Sequence, residues 1–164
     1  MRKVRTLRGQ ITAVGGKADK QLILNDQLIN RGLRVTGFFM WPVEASGLQN
    51  QSFSGILSYA QLGNANVNMN AGDNTQLGWC YQVARAQQTA GVPPAENTFG
   101  ASGYGPAPFG FIDPDHIVNR DLFVSIRDAD ADRSYNYMVV CELMQLTDNE
   151  AIITIVKENS QSLV

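Results

Sequence analysis

Histidine is almost missing from this chain: His116 is the only one. That scarcity excludes the multi-histidine centres of zinc hydrolases, and any Ser-His-Asp or Cys-His arrangement would have to pass through one residue. Cysteine is nearly as scarce. Cys80 and Cys141 sit inside the strand-like runs "LGWCYQV" and "YMVVCELMQL" without metal-type spacing, and such cysteines read as buried, reduced thiols, in keeping with synthesis in a cytoplasm. No stretch reaches the roughly 18 to 20 apolar residues of a membrane span. "MRKVRTLRGQ" starts charged with no apolar region behind it, so neither a membrane span nor an export signal is expected. No GxSxG elbow accompanies a serine, no GxGxxG follows a strand and opens a helix, and "VGGKADK" lacks the spacing of a phosphate-binding loop.

What remains is a chain of 164 residues, 44% hydrophobic and 17% charged, which suits one globular domain over 1–164 rather than two or a disordered chain. The net charge of -2 hides a division. Residues 1–34 carry eight basic side chains against Asp19 and Asp26, a net of +6, while the rest hold five basic and thirteen acidic groups, a net of -8. One end of such a chain can face a polyanion, in a contact weakened by salt; the plainer reading is solvated charge on an edge strand. The short basic segment 1–8, with Arg2, Lys3, Arg5 and Arg8, is the candidate nucleic-acid-facing element.

Strand signals dominate. "VRTLRGQITAV" (4–14) ends at Gly15-Gly16, "GLRVTGFFMWPV" (32–43) concentrates β-branched and aromatic residues, and "GILSYAQL" (55–62) and "TQLGWCYQVA" (75–84) follow at sheet-like lengths. "HIVNRDLFVSIRDA" (116–129) and "RSYNYMVVCELMQL" (133–146) form the strongest pair; "KQLILNDQLI" (20–29) is ambiguous between strand and helical turn. Leu122, Val124 and Ile126 alternate onto one face, and Tyr135, Tyr137, Val139 and Cys141 oppose Met138, Val140 and Glu142, the pattern of a central strand covered on both sides. One helix is predicted at the C-terminal end, where Thr147 and Glu150 stand at capping-box spacing and Ile152, Ile155 and Val156 share a face. It is too short to be stable alone and must pack on the sheet or on a partner.

Residues 86–114 contain no Lys or Arg and many Gly, Pro and Ala, and read as one long irregular loop. Loops of that length function or are disordered, and Phe99, Tyr104, Phe109 and Phe111 supply enough aromatic surface for packing, including against a neighbouring subunit. Asp128, Asp130 and Asp132 alternate like the first ligands of a calcium loop, but an EF-hand would want Gly where Arg133 stands and Glu where Val139 stands. The aspartates therefore read as a hairpin tip flanked by Arg127 and Arg133, with a non-EF calcium site as the weaker option. "IDPDH" gathers Asp113, Asp115 and His116, conceivable as metal ligands but ordinary as a turn. Cys141 with His116 is a nucleophilic pair only on paper. Trp41, Trp79, Tyr81 and Tyr104 suit a sugar or base platform, or an ordinary core or subunit contact.

About eight short strands, long Gly/Pro/Asn-rich connections and no catalytic constellation predict an all-β, antiparallel sandwich or jelly roll with one short C-terminal helix. The arrangement of a basic start, the central "IDPDHIVNRDLFVSI" and the terminal "YNYMVVCELMQLTDNEAIITIVKENSQ" resembles small single-jelly-roll capsid proteins of viruses and phages. The resemblance implies a non-enzymatic virion subunit without cofactor, made in a host cytoplasm. Its partners would be copies of itself, other capsid proteins and nucleic acid held non-specifically. Phe99, Tyr104, Phe109 and Phe111 would be at subunit contacts, and the basic start would face the genome. Two other classes stay open: a carbohydrate-binding β-sandwich, with calcium at Asp128, Asp130 and Asp132 as an optional element, and a β-barrel enzyme built on His116, Asp113 and Asp115.

Overall fold

The computed structural model describes residues 3–24, 30–43, 52–62, 68–83, 109–128 and 132–161. Among them the strands are β1 (Lys3–Thr12), β2 (Lys17–Leu22), β3 (Arg31–Pro42), β4 (Ser52–Ser58), β5 (Gln76–Val83), β6 (Phe109–Ile112), β7 (Ile117–Val118), β8 (Leu122–Asp128) and β9 (Ser134–Gln145), followed by helix α1 (Asp148–Gln161). The antiparallel pairs nest: β1 with β9, β2 with β8, β3 with β7 and β4 with β5. They make a long two-stranded ribbon. Cross-pairing of β3 with β9 and of β4 with β8 wraps that ribbon into two sheets, ordered β1-β9-β3-β7 and β2-β8-β4-β5-β6. This is a jelly roll with one added strand, β6, at the edge of the second sheet.

The core lies between the sheets. β9 places Tyr135, Tyr137, Val139 and Cys141 inward, β8 places Leu122, Val124 and Ile126, and Val35, Phe38 and Met40 of β3 meet Phe53 and Leu57 of β4. The alternation read from the sequence thus fixes the buried faces of β8 and β9. β9 is central in its sheet, but its other face, at Met138, Val140 and Glu142, is only half-buried.

β3 breaks alternation once. Its register against β9 shifts between Val35 and Gly37, leaving Thr36 as the extra residue of a β-bulge, with the Thr36 hydroxyl donating to the Val140 carbonyl at 3.2 Å. A bulge reverses which side later residues face. Phe38 and Met40 therefore enter the core, while Phe39 and Trp41 stand on the outer face. Gly37 makes room there: a Cβ on it would lie 2.8 Å from the Phe39 ring.

Several boundaries differ from the sequence expectation. The run 116–129 is two strands, because Asn119-Arg120-Asp121 turns the chain from one sheet to the other. The Asp121 carboxylate accepts from the Leu24 N–H at 2.9 Å and from the Gln21 amide at 2.8 Å, uses that a continuous strand would not allow. β8 and β9, expected as a hairpin, belong to different sheets. Residues 109–112, expected as loop, pair with β5 as β6. From Lys3 onward the basic segment 1–8 is the first half of β1.

Helix α1 starts as its sequence dictates. The Thr147 N–H and hydroxyl both donate to Glu150 Oε2 at 2.8 Å, and the Glu150 N–H returns to Thr147 Oγ1 at 3.4 Å, a closed capping box. Its inward stripe is Ala151, Thr154, Ile155 and Glu158, whereas Ile152, Ile153 and Val156 are exposed. The expected Ile152/Ile155/Val156 face is therefore split between the two sides.

Candidate functional site

The aspartate run lies where β1 turns into β2 and β8 leaves for β9. Gly15 and Gly16 have φ of 62° and 76°, left-handed conformations that glycine adopts without steric cost. The Asp128 N–H donates to the Gly16 carbonyl at 2.8 Å, and the Gly16 N–H donates to Asp132 Oδ1 at 3.2 Å. Asp128 itself is 3% exposed and accepts the Tyr135 hydroxyl at 2.6 Å. Burial, then that carboxylate, push the Tyr135 phenol far above its ordinary range. Asp128 is thus an internal strut and Asp132 a turn cap, each with its own partner, while Asp130 lies outside the described residues. Among the described residues no group of three or more His, Cys, Asp or Glu side chains is placed to hold a metal ion.

The second cluster lies at the other end of β8. Asp113 and Asp115 form a turn in which the Asp115 N–H donates to Asp113 Oδ1 at 3.1 Å. His116 stacks on Tyr59, ring centroids 5.3 Å apart, and lines an open cavity of about 150 Å³ with Asp115, Ile117, Thr154, Lys157 and Glu158. Glu158 is fully buried. Its Oε1 accepts from the Asn119 N–H at 3.2 Å, and its Oε2 lies 2.8 Å from Arg120 Nε as an ion pair. Arg120 also bonds Asn159 on the same helix. Burial pushes the Glu158 carboxyl up, opposed by the Asn119 N–H and by Arg120. Burial pushes the His116 imidazole down, with Asp113 opposing and Lys157 adding.

Glu158 escaped the sequence reading, although its signal exists: it falls seven residues after Ala151, on the i, i+4, i+7 stripe of a helix. The arrangement clasps the helix to the β7–β8 turn, with Thr154 and Lys157 of the helix lining the cavity beside His116. Cys141 is in the core between the sheets, its thiol raised to about 11 by burial, and Cys80 is likewise buried and raised to about 11. Both are free thiols.

The basic candidates do not form one patch. Arg2 lies outside the described residues; Lys3 and Arg5 share the side of β1 that leads to Leu7 and Ile11, and Arg8 points to the opposite side. Lys20, on β2, ties the edges of the two sheets by donating to the Gln10 carbonyl at 2.9 Å, with its ammonium 5.6 Å from the Tyr137 ring centre.

Of the aromatic candidates, Phe99 and Tyr104 lie outside the described residues. Phe109 is in register with Tyr81, and Phe111 with Trp79. Phe111 is exposed at the edge of the second sheet; Trp79 is half-buried, its indole N–H donating to Gln76 Oε1 at 2.7 Å. Trp41 is exposed on the outer face of the first sheet beside Phe39, a residue the sequence pattern could reveal only if the bulge at Thr36 were known.

The chain matches no protein-family profile, no curated protein and no solved structure.

Proposed function

We propose that this chain is a structural virion protein, a jelly-roll capsid subunit that assembles with copies of itself, without turnover and without a cofactor. One observation carries the reading. On a jelly-roll frame, the described residues expose large apolar side chains on surfaces belonging to different sheets: Phe111 on the edge strand of the second with Tyr81 on the strand beside it, and Ile152, Ile153 and Val156 on the helix that packs at β7 of the first. A closed shell made of one chain needs distinct patches that meet unlike patches on neighbours, whereas a monomeric binder or enzyme needs one concave site. Phe99, Tyr104 and Phe109 are proposed to extend the contacts, and Arg2, Lys3, Arg5 and Arg8 to meet the genome through phosphate charge. On this reading the protein resides in the virion after synthesis in a host cytoplasm.

Light scattering after size exclusion, at low and high salt and with added nucleic acid, tests the proposal. Rings or shells should form, and the substitutions Ile153→Asp and Phe111→Asp should return them to a species near 18.0 kDa. A monomer in every condition would overturn it. A second reading, a saccharide-binding sandwich, draws on exposed Tyr81 and Phe111 on adjacent strands; a glycan screen that responds to Tyr81→Ala would put it first.

A further inference from the structure

The outer face of the first sheet carries chemistry that subunit packing leaves unused. Because of the bulge, Phe39 and Trp41 both stand on it, 42% and 41% exposed. They are two residues apart on one strand, a spacing of about 6.6 Å. Each heads a row across the sheet: Phe39, Met138 and Arg8 in one, Trp41, Asn136 and Gln10 in the next. The amides of the second row are pre-aligned, Gln10 Nε2 donating to Asn136 Oδ1 at 3.1 Å. Arg8 is exposed and makes no hydrogen bond or ion pair with the described residues. Farther along the face Arg34 lies in register with Glu142, the one acid on this face among the described residues.

Exposed aromatic rings, an unpaired guanidinium and planar amides on an open sheet are the elements that hold single-stranded nucleic acid: bases stack on the rings, phosphates meet the cation, and amides reach base edges. A neutral saccharide would leave Arg8 unused. A second copy docked by two-fold symmetry would set one net-positive face against another. We infer that the outer face of the β1-β9-β3-β7 sheet is a platform for single-stranded nucleic acid, with Phe39 and Trp41 stacking bases and Arg8 taking a phosphate. The inference rests on the shell reading for the occasion to meet nucleic acid. It also moves the contact from the N-terminal segment as a whole to one face of the fold, and it disfavours duplex, whose bases are already stacked.

The test is fluorescence anisotropy of a labelled oligothymidylate about 20 nucleotides long, across a salt series, with the same strand in duplex as comparison. The full chain should bind the single strand more tightly than the duplex. Phe39→Ala and Trp41→Ala should each weaken binding about tenfold. Arg8→Ala should weaken it several-fold and lower the salt slope by about 0.7, and Val14→Ser, at the exposed turn between β1 and β2, should leave binding unchanged. Phe39 and Trp41 are each more than half covered, so their variants should melt somewhat lower while staying folded at the assay temperature, and Arg8→Ala should melt unchanged. Absence of binding, or binding indifferent to Phe39→Ala and Trp41→Ala, would overturn the inference. So would a Trp41→Ala variant that turns an oligomer into a monomer while binding the oligonucleotide as before, for then a second copy covers the face. The shell reading fails separately: a protein that binds the oligonucleotide through these residues yet never assembles keeps this inference and loses that one.

Discussion

Asp128, the last residue of β8, and Glu158, which reaches the turn before its first, sit at opposite ends of the sandwich, and neither carboxylate is appreciably exposed. Asp128 accepts a neutral phenol, that of Tyr135, within strands that close on the Gly15-Gly16 turn. Glu158 takes a backbone N–H and a guanidinium from the β7–β8 turn, although it belongs to a helix appended after the last strand. The first end is held by the ladder with the carboxylate as a brace; the second is held by the carboxylate itself. An element added to a completed sheet has no ladder to join, so a buried charge pair does the joining, at the desolvation cost that such pairs carry.

The comparison can be broken most severely at Glu158. Glu158→Ala takes the carboxylate from Arg120, and because Arg120 keeps Asn159 as a partner and a third of its side-chain exposure the loss should fall near the low end for a broken buried pair, about 3 kcal/mol. Urea unfolding measures it, and limited proteolysis should then cut within 148–161 first. Glu158→Gln, whose amide oxygen still accepts from Asn119, should lose less; equal losses would mean that the charge carries the whole contribution. At the other end Tyr135→Phe removes the donor to Asp128, for an expected cost of about 2 kcal/mol, while the helix stays protected from the same protease.

Gly16→Ala should cost about 1 to 2 kcal/mol, and more than Gly15→Ala. Both glycines are left-handed, but only at Gly16 would a Cβ meet backbone, 2.6 Å from the Asp128 carbonyl oxygen. Equal losses would show that φ alone matters at this turn.

The smallest expected effect is on pH dependence, and it separates the ends cleanly. His116 is held below its ordinary 6.5, so its contribution is fully present above that value and is lost as pH falls from 6.5 through the lowered folded value. Glu158 is held above its ordinary 4.5, so its contribution is present below 4.5 and is lost as pH rises through the raised folded value. The two slopes oppose each other at the helix end. His116→Gln should therefore leave a protein that gains stability on mild acidification, read by melting temperature between about pH 7 and pH 4.5; a profile unchanged by that substitution would contradict the burial assigned to His116.

Much of this fold was legible because β-strand patterning is local. The alternation in Leu122–Ile126 and Tyr135–Cys141 fixed buried faces, Gly15-Gly16 fixed a turn, and Thr147 with Glu150 fixed a helix start. What was not legible depends on which sheet a strand joins. Nothing within 116–129 or 133–146 says that β8 and β9 part company; that follows from β3 and β4 inserting as their neighbours. The aspartates were visible as an unusual run and were read as a hairpin tip, but β8 and β9 do not pair and Asp128, the last residue of β8, had to be seen in place to be known as an inward brace. Glu158 was hidden for the opposite reason, since an acid on a short helix ordinarily faces water.

The extra residue at Thr36 acts as a reading frame for the surface. Between Val35 and Pro42 the chain spells four large side chains in a row, Phe38, Phe39, Met40 and Trp41, and any alternate pair can fill an interior. Loss of the single codon for Thr36 would close the bulge and leave Phe38 and Met40 inward, because Val35 and Gly37 already face consecutive partners on β9, whereas loss of one residue beyond it, such as Phe39, would turn Met40 outside and send Trp41 inward. Substitutions along this strand alter one contact at a time, whereas a change in its length away from the bulge exchanges core for exterior at once. Variation among descendants of this sequence should therefore accumulate here as replacements, with insertions and deletions confined to the bulge.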